Sequence, residues 1–320
     1  MNDEQPNNPG PATIDHVVGQ TRAVQQLRTA LSAHFNDRAS VDGGEIALPH
    51  ILMVGPPGVG KSTLAQIVAQ ELGCTLHEEL AQNLLSPGQV HGLMMMVEPG
   101  GVVFLDEIHE LLPPCQTVLY RCLEERRLFL GGNRKSITLP AFTFIGATTD
   151  EWALSKPLRD RCKVLIRLTH YSENEIAEIV AKRSKRLGWI IEDSAITGIA
   201  KRSRGTPRIA VRLLEASHRQ SRSEAADRIT SQHFNQMCLV EGVDSIGLDC
   251  TERRYLSLLK DAQGPVRLNL LATQLALPRR TIESVIESEL IRLGLVTKTE
   301  TGRSLTAAGV EHLNETEKSS

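Results

Sequence analysis

Two short segments, Gly55-Pro-Pro-Gly-Val-Gly-Lys-Ser62 and Val102-Val-Phe-Leu-Asp-Glu107, hold the residue types that handle a nucleoside triphosphate. The first fits G-x-x-x-x-G-K-[ST], the phosphate-cradling P-loop. Gly55, Gly58 and Gly60 let backbone N–H groups converge on phosphate oxygens, and the helix that follows aims its positive end at them. Lys61 is suited to neutralise β- and γ-phosphate charge, the Ser62 hydroxyl to ligate Mg²⁺, and Thr63 follows in the same turn as part of the nucleotide-binding set. In the second segment, Asp106 is suited to support Mg²⁺ and Glu107 to orient and activate the attacking water. Two acids also end apolar strands with no chemistry attached, and it is the upstream P-loop that favours the catalytic reading.

Three further segments fit around this pair. Phe142-Thr-Phe-Ile-Gly-Ala-Thr-Thr149 ends a core strand in hydroxyls, placing Thr149 to hold the catalytic water, although a turn-capping role is the plainer alternative. Pro157-Leu-Arg-Asp-Arg-Cys162 carries two arginines that cannot share one helix surface at their i, i+2 spacing. One is expected to pair locally and the other to project, either as a surface ion-pair partner or into a neighbouring subunit's ATP site. Such arginine fingers are worth roughly 10³–10⁵ in rate. Arg204-Gly-Thr-Pro-Arg-Ile-Ala210 opens a helix with Pro207 in its first turn, leaving Arg208 able to reach nucleotide or to stand exposed.

The elements that must position these residues are legible in outline. His50–Val54 reads as a buried strand ahead of the P-loop and Leu64–Leu72 as the helix behind it. Cys74–His77, Val102–Leu105, Phe142–Gly146 and Val164–Leu168 are near-continuous apolar runs, as strands buried on both faces of a parallel sheet require. A helix is expected from Thr21, with Val24, Leu27, Leu31 and Phe35 on one face. From Glu173 to Val243 the spacing is helical, without strand-like runs. Beyond Asp244, three helices (Glu252–Asp261, Leu268–Ala276, Arg279–Leu293) precede an alternating hairpin at Val296–Thr306 with Gly302 near its turn, the outline of a winged helix. The fold class expected is α/β: a P-loop core on a parallel sheet, a small helical lid and a C-terminal winged helix. The divisions are a disordered tail at 1–11, the large ATPase domain at 12–170, the lid at 171–243, the winged helix at 244–313 and a second disordered tail at 314–320.

Composition narrows the function. A hydrophobic share of 41% and a charged share of 23% describe an ordinary globular chain. No apolar run approaches the roughly 18 residues of a membrane span. The start at Met1–Pro9 has neither the basic residues nor the apolar core of a signal peptide, so a cytoplasmic location and no membrane partner are expected. Six scattered cysteines, without C-x-x-C, suit reduced buried positions rather than a metal site. A net charge of −2 confines any DNA contact to local patches, and 3% aromatic residues argue against single-strand binding by extensive stacking. The runs Lys182–Arg186 and Lys201–Arg204 read as solvated helix faces. Lys298 and Arg303, on the hairpin, are the better DNA-binding candidates, because a hairpin tip can clamp phosphates without reading sequence.

Together these segments resemble the RuvB-type Holliday junction branch migration ATPases, a family of AAA+ motors. The likeness runs from about Thr13 to Leu313. It is carried most specifically by the P-loop, Leu105-Asp-Glu-Ile-His109, Ile145-Gly-Ala-Thr-Thr149, Pro157-Leu-Arg-Asp-Arg161 and Arg204-Gly-Thr-Pro-Arg-Ile209. It implies ATP and Mg²⁺ as cofactors, a hexameric ring hydrolysing ATP at subunit interfaces, and double-stranded or four-way-junction DNA as the substrate. It further implies Arg161 as the arginine finger, Thr149 as first sensor, Arg208 as second sensor, Tyr171 in the nucleotide pocket, Val17 and Val18 on the adenine side, and Lys298 and Arg303 at DNA. The chain departs from the family pattern at Gly10, where the family has Arg, at Asp150, and at Thr301. The hairpin between Glu124 and Phe142, which in the family docks a RuvA-like junction-binding partner, is shorter here. Two other readings share the P-loop chemistry: an ATP-dependent DNA-binding switch that does not translocate, and a clamp-loader-like ATPase, which the winged helix disfavours.

Overall fold

The computed structural model of this chain describes residues 10–40, 46–130, 135–262 and 264–319. These fall into two compact units, one made of residues up to 188 with 205–211, the other of 189–204 with 212 onward.

The first unit is built on a five-stranded sheet, in which every pairing is parallel. Its strands are β1 (Ile51–Val54), β2 (Leu76–Leu80), β3 (Val102–Asp106), β6 (Thr143–Thr148) and β7 (Val164–Arg167), in the spatial order β2-β3-β6-β1-β7. A separate antiparallel hairpin, β4 (Arg127–Leu130) with β5 (Lys135–Thr138), sits between β3 and β6 in sequence. The Gly131-Gly-Asn133 turn expected there lies outside the described residues.

Apolar runs rather than alternation are needed because both faces of the sheet are covered. Side chains alternate along each strand, so Val103, Leu105 and Phe144 enter one core. Val102, Phe104, Ile145 and Ala147 enter the other. Helices α1 (Thr21–Ser40) and α2 (Lys61–Leu72) supply the second core; α3 (Pro87–Met95) and α4 (Pro113–Glu125) supply the first. The short α5 (Lys156–Arg161) and then α6 (Glu173–Arg186) complete the unit. Strand β2 extends beyond the apolar run at Cys74–His77, because pairing with β3 carries it as far as Leu80 opposite Asp106. Along α1 the buried stripe ends on His34, and Phe35 is exposed.

In the second unit, α7 (Asp193–Arg202), most of α8 (Pro207–Ser223) and α9 (Ser231–Glu241) form a helical group. A two-residue parallel pair, β8 (Ile190–Ile191) with β9 (Arg228–Ile229), joins them, where the sequence showed only helical spacing. The remainder is a winged helix with its own core of Leu256, Leu271, Ile282, Leu290 and Val296 among others. It comprises α10 (Cys250–Asp261), α11 (Leu268–Leu275), a composite helix of α12 (Arg279–Thr281), a π-helical stretch (Ile282–Glu287) and α13 (Ser288–Arg292), and the antiparallel wing β10 (Val296–Lys298) and β11 (Arg303–Leu305). Val266 bridges to Arg303 as a third strand would. The closing helix α14 (Ala307–Ser319) runs through 314–319, part of the tail expected to be disordered at 314–320. A polar Asn-Glu-Thr-Glu-Lys run contains helix formers and can extend a helix without an apolar face. Of the tail expected at 1–11, Gly10 and Pro11 are described and the rest lies outside the described residues.

Candidate nucleotide-binding site

The P-loop follows β1 directly and leads into α2. Gly55 N–H donates to Thr148 O at 3.1 Å, tying the loop's first residue to the end of β6. Gly58 sits at φ +76°, in the left-handed region. A Cβ there would come within 2.9 Å of Arg208 Cβ, so only glycine lets the loop lie this close to the start of α8. Gly60, also left-handed at φ +102°, caps α2 and hands the chain to Lys61.

Lys61 is 5% exposed, and its Nζ donates to Gly55 O at 2.8 Å and Pro56 O at 3.0 Å. The ammonium is thus held inside the turn of its own loop. Burial lowers its pKa; Glu107 and Asp106 pull it back upward, and Arg208 adds to the lowering. Ser62 Oγ donates to Asp106 Oδ2 at 3.3 Å, so a hydroxyl and a carboxylate face each other at the mouth of the loop. These are hard oxygen donors of the kind that suits Mg²⁺.

Strand order explains why the acids arrive here. β6 lies between β1 and β3, so all three strands end at one edge of the sheet, where open α/β sheets bind ligands. Asp106 is the last residue of β3. Glu107 then adopts φ +48°, an uncommon conformation for a residue with a side chain, and its N–H donates to Asp106 Oδ1 at 2.9 Å. Thr149, just past β6, donates from Oγ1 to Glu107 Oε2 at 3.4 Å. Asp150, one of the departures, accepts from Trp152 and Ala153 N–H through its carboxylate and so caps the turn that follows.

A cleft of about 250 Å³ is lined by Gly58, Gly60, Lys61, Ser62, Thr63, Asp106, Glu107 and Arg208. Next to it, a cavity of about 170 Å³ is lined by Gly10, Val17, Val18, Thr63, Tyr171 and the basic face of α6, namely Lys182, Arg183 and Arg186. Gly60 and Thr63 line both, so the two form a polar end and an apolar-to-basic end of one site. Tyr171 O–H donates to Val59 O at 3.2 Å, and burial pushes its pKa up to about 12. Arg208 N–H donates to Gly58 O at 3.3 Å, anchoring the start of α8 on the loop. The basic face of α6 was read from sequence as a solvated surface. Its alignment with the cavity depends on helix packing that no local pattern reveals.

Arg161 does not line this site. It pairs with Glu124 and lines a separate cleft of about 450 Å³ with His50, Arg126 and Lys163. Its neighbour Arg159 stacks over Trp152, with the guanidinium 4.8 Å from the ring centre. Both arginines therefore have local partners, and Arg161 also borders a cleft with further cations.

The wing residues lie in the second unit. Lys298 is half-exposed and donates to Glu283 Oε1 at 3.1 Å. Arg303 is buried: its Nε donates to Glu287 Oε1 at 2.7 Å, and its Nη2 reaches Glu287 Oε2 at 3.0 Å and Glu283 Oε1 at 3.1 Å. Tyr255 O–H closes the network on Glu287 Oε1 at 3.0 Å. Arg303, expected with Lys298 as a DNA-binding residue, thus has its guanidinium packed inward against Glu287 and Glu283.

Three family models cover the chain: the Holliday junction DNA helicase RuvB P-loop domain at residues 10–168, the RuvB AAA lid domain at 171–244, and the RuvB C-terminal winged helix domain at 245–314. The Holliday junction branch migration complex subunit RuvB of Anaeromyxobacter sp. (strain K) is 35% identical over 311 residues, covering 95% of this chain and 89% of the relative. The subunit of the same name from Synechococcus sp. (strain CC9311) is 38% identical over 316 residues, covering 95% of this chain and 85% of the relative. Among solved structures, the Thermotoga maritima RuvB Holliday junction branch migration motor superposes with a TM-score of 0.82 at 34% identity, over 96% of this chain and 98% of that one.

Proposed function

Since this chain belongs to the RuvB family, we propose that it is an ATP-driven motor acting on Holliday junctions or other branched duplex DNA. The observation that carries the ATPase part is the convergence of Lys61, Ser62, Asp106, Glu107 and Thr149 at one edge of the sheet.

In this reading, Gly55, Gly58, Gly60 and Thr63 hold the phosphates through the loop and the start of α2, and Lys61 turns from its loop carbonyls to the β- and γ-phosphates. Mg²⁺ held by Ser62 and Asp106 would offset the phosphate charge when bound. Glu107 takes a proton from the attacking water as general base, and Thr149 orients that carboxylate. Arg208, anchored on Gly58, senses the phosphates. Val17, Val18 and Tyr171 enclose the base. Arg161 serves a neighbouring protomer's site in a ring, a role supported by its absence from the chain's own phosphate cleft. Lys298 meets the DNA backbone, with Arg303 bracing the wing that presents it. The 12–170, 171–243 and 244–313 divisions then correspond to ATPase body, lid and DNA module. The family's RuvA-docking hairpin is shorter in this chain, so use of a RuvA-like partner is the part of the reading that assays with and without such a partner decide.

The test is ATP hydrolysis measured with linear duplex and four-way-junction DNA, alongside dissociation of a labelled junction into duplex arms. The motor reading expects junction-stimulated hydrolysis together with strand movement, in the presence of a RuvA-like partner if docking is required. Hydrolysis without any displacement of strands or of a roadblock, partner present, would leave a switch and sink the motor.

A further inference from the structure

His109 lies two residues beyond Glu107, in the short turn Ile108–Glu110 that follows β3. Its Nδ1 is 3.1 Å from Thr148 Oγ1 and 3.3 Å from Glu107 Oε2. The surroundings decide which way the hydrogens point. A threonine hydroxyl has one proton to give and two lone pairs to receive. The Thr148 proton goes to Asp150 O at 3.0 Å, and Asp150 N–H donates back to the same oxygen at 2.9 Å. What remains on Oγ1 is an acceptor, and the same ring nitrogen faces the Glu107 carboxylate, which can only accept, so the arrangement that sets a donor against both oxygens has the hydrogen on that nitrogen. Thr148 is fully buried, so no water competes for that lone pair. His109 therefore carries its hydrogen on Nδ1, and the same N–H faces the Glu107 carboxylate.

From this geometry we propose that His109 is a positioning residue for Glu107, its Nδ1–H shared between Thr148 Oγ1 and Glu107 Oε2. The proposal rests on the reading of Glu107 as general base. Thr149 Oγ1 donates to the same carboxylate oxygen at 3.4 Å, so Oε2 lies between a hydroxyl donor and the ring nitrogen, and Oε1 is left for water. Glu107 stands at a left-handed turn just past the end of β3, and its carboxylate is contacted there by His109 and Thr149.

The proposal predicts a contrast between isosteres. The amide nitrogen of asparagine stands near the place of Nδ1, whereas that of glutamine stands near Nε2. Steady-state ATPase of the full chain is measured for His109→Ala, His109→Asn and His109→Gln, with KM for ATP and the dissociation constant of a fluorescent ADP. Misplacing a reacting group by about an ångström costs on the order of 10²-fold, so His109→Ala and His109→Gln are expected to lose ~10–100-fold in kcat. KM and ADP affinity stay within about twofold, and His109→Asn keeps most of its turnover. Equal losses in Asn and Gln variants, or full kcat in the Ala variant, overturn the positioning role. Should the Ala variant melt early, the Asn–Gln contrast still decides. Glu107→Gln, run in parallel, separates the two layers: wild-type turnover there removes the base assignment, whereas a dead Glu107→Gln beside an unaffected His109→Gln removes only the role of His109.

Discussion

Ser62 Oγ and Asp106 Oδ2 stand 3.3 Å apart, one from the first turn of α2 and one from the last residue of β3. The hydroxyl satisfies the carboxylate directly, and these two side chains are the ones that would hold a divalent cation. Asp106→Asn keeps a hydrogen-bond partner for Ser62 while deleting the charge a cation needs. Lewis-acid stabilisation of phosphoryl transfer is worth several kcal/mol, so turnover should fall by ~10²-fold or more. Phosphate release across a Mg²⁺ titration checks this. Wild-type turnover at saturating Mg²⁺ would exclude Asp106 from the metal site.

Nucleotide binding should take up protons at alkaline pH. Burial holds the Lys61 pKa below the ordinary lysine range in the free protein, and a triphosphate alongside Nζ raises it again. Below the free-protein value Lys61 is charged in both states and affinity is at its maximum. As pH rises through that value toward the bound-state one, each binding event must recruit a proton and affinity declines. Calorimetry of a non-hydrolysable ATP analogue in two buffers of different ionisation enthalpy reads the proton count directly. The count should vanish in Lys61→Ala, and a pH-independent affinity in the wild-type protein would contradict the assignment.

Arg161 and Glu124 set up a test of trans catalysis. If Arg161 serves the neighbour, Arg161→Ala should lower hydrolysis by roughly 10³-fold or more while each protomer keeps its own ATP affinity. Mixing it with Lys61→Ala protein should restore part of the activity, because some interfaces then combine an intact loop with an intact arginine. Glu124→Gln should leave assembly intact and free Arg161 from its local ion pair. No recovery on mixing, with co-assembly shown by sedimentation, would place Arg161 outside the neighbour's site.

Much of this site was legible because its chemistry is tied to local elements. A strand, a tight glycine loop and a helix placed Lys61 and Ser62, and apolar runs ending in Asp106 and Thr149 announced strands whose ends carry polar groups. The missing parts depend on packing between segments distant in sequence. Lys182, Arg183 and Arg186 line the cavity beside the phosphate cleft only because α6 turns that face toward Val17 and Tyr171. Hairpin alternation showed Arg303 on a wing, but not that β11 would bury it against Glu287 on the preceding helix. His109 had a visible cue in its spacing from Glu107, yet its hydrogen-bond direction needed Thr148 and Asp150 in place.

The wing separates bracing from contact. Glu287 is 1% exposed and bonded by Arg303 and Tyr255, so Arg303→Ala leaves a buried carboxylate with only the more distant Lys298 ammonium, 4.0 Å away, to offset its charge. Breaking a buried pair from one side costs on the order of 3 kcal/mol, and thermal unfolding should report the loss. Lys298→Ala has no such burden. It should weaken duplex binding evenly across sequences and reduce the slope of log affinity against log salt by ~1. The Lys298 hydrogen bond holds the Glu283 carboxyl below the usual carboxylate range, and on the proposed DNA role of Lys298 that carboxylate competes with phosphates for it. Glu283→Gln should therefore tighten DNA binding, since the lysine no longer gives up a charged partner on docking. Titrations of labelled duplex at two salt concentrations distinguish the cases. Weaker binding in a folded Glu283→Gln protein would show that the carboxylate orients Lys298 toward DNA instead of competing for it.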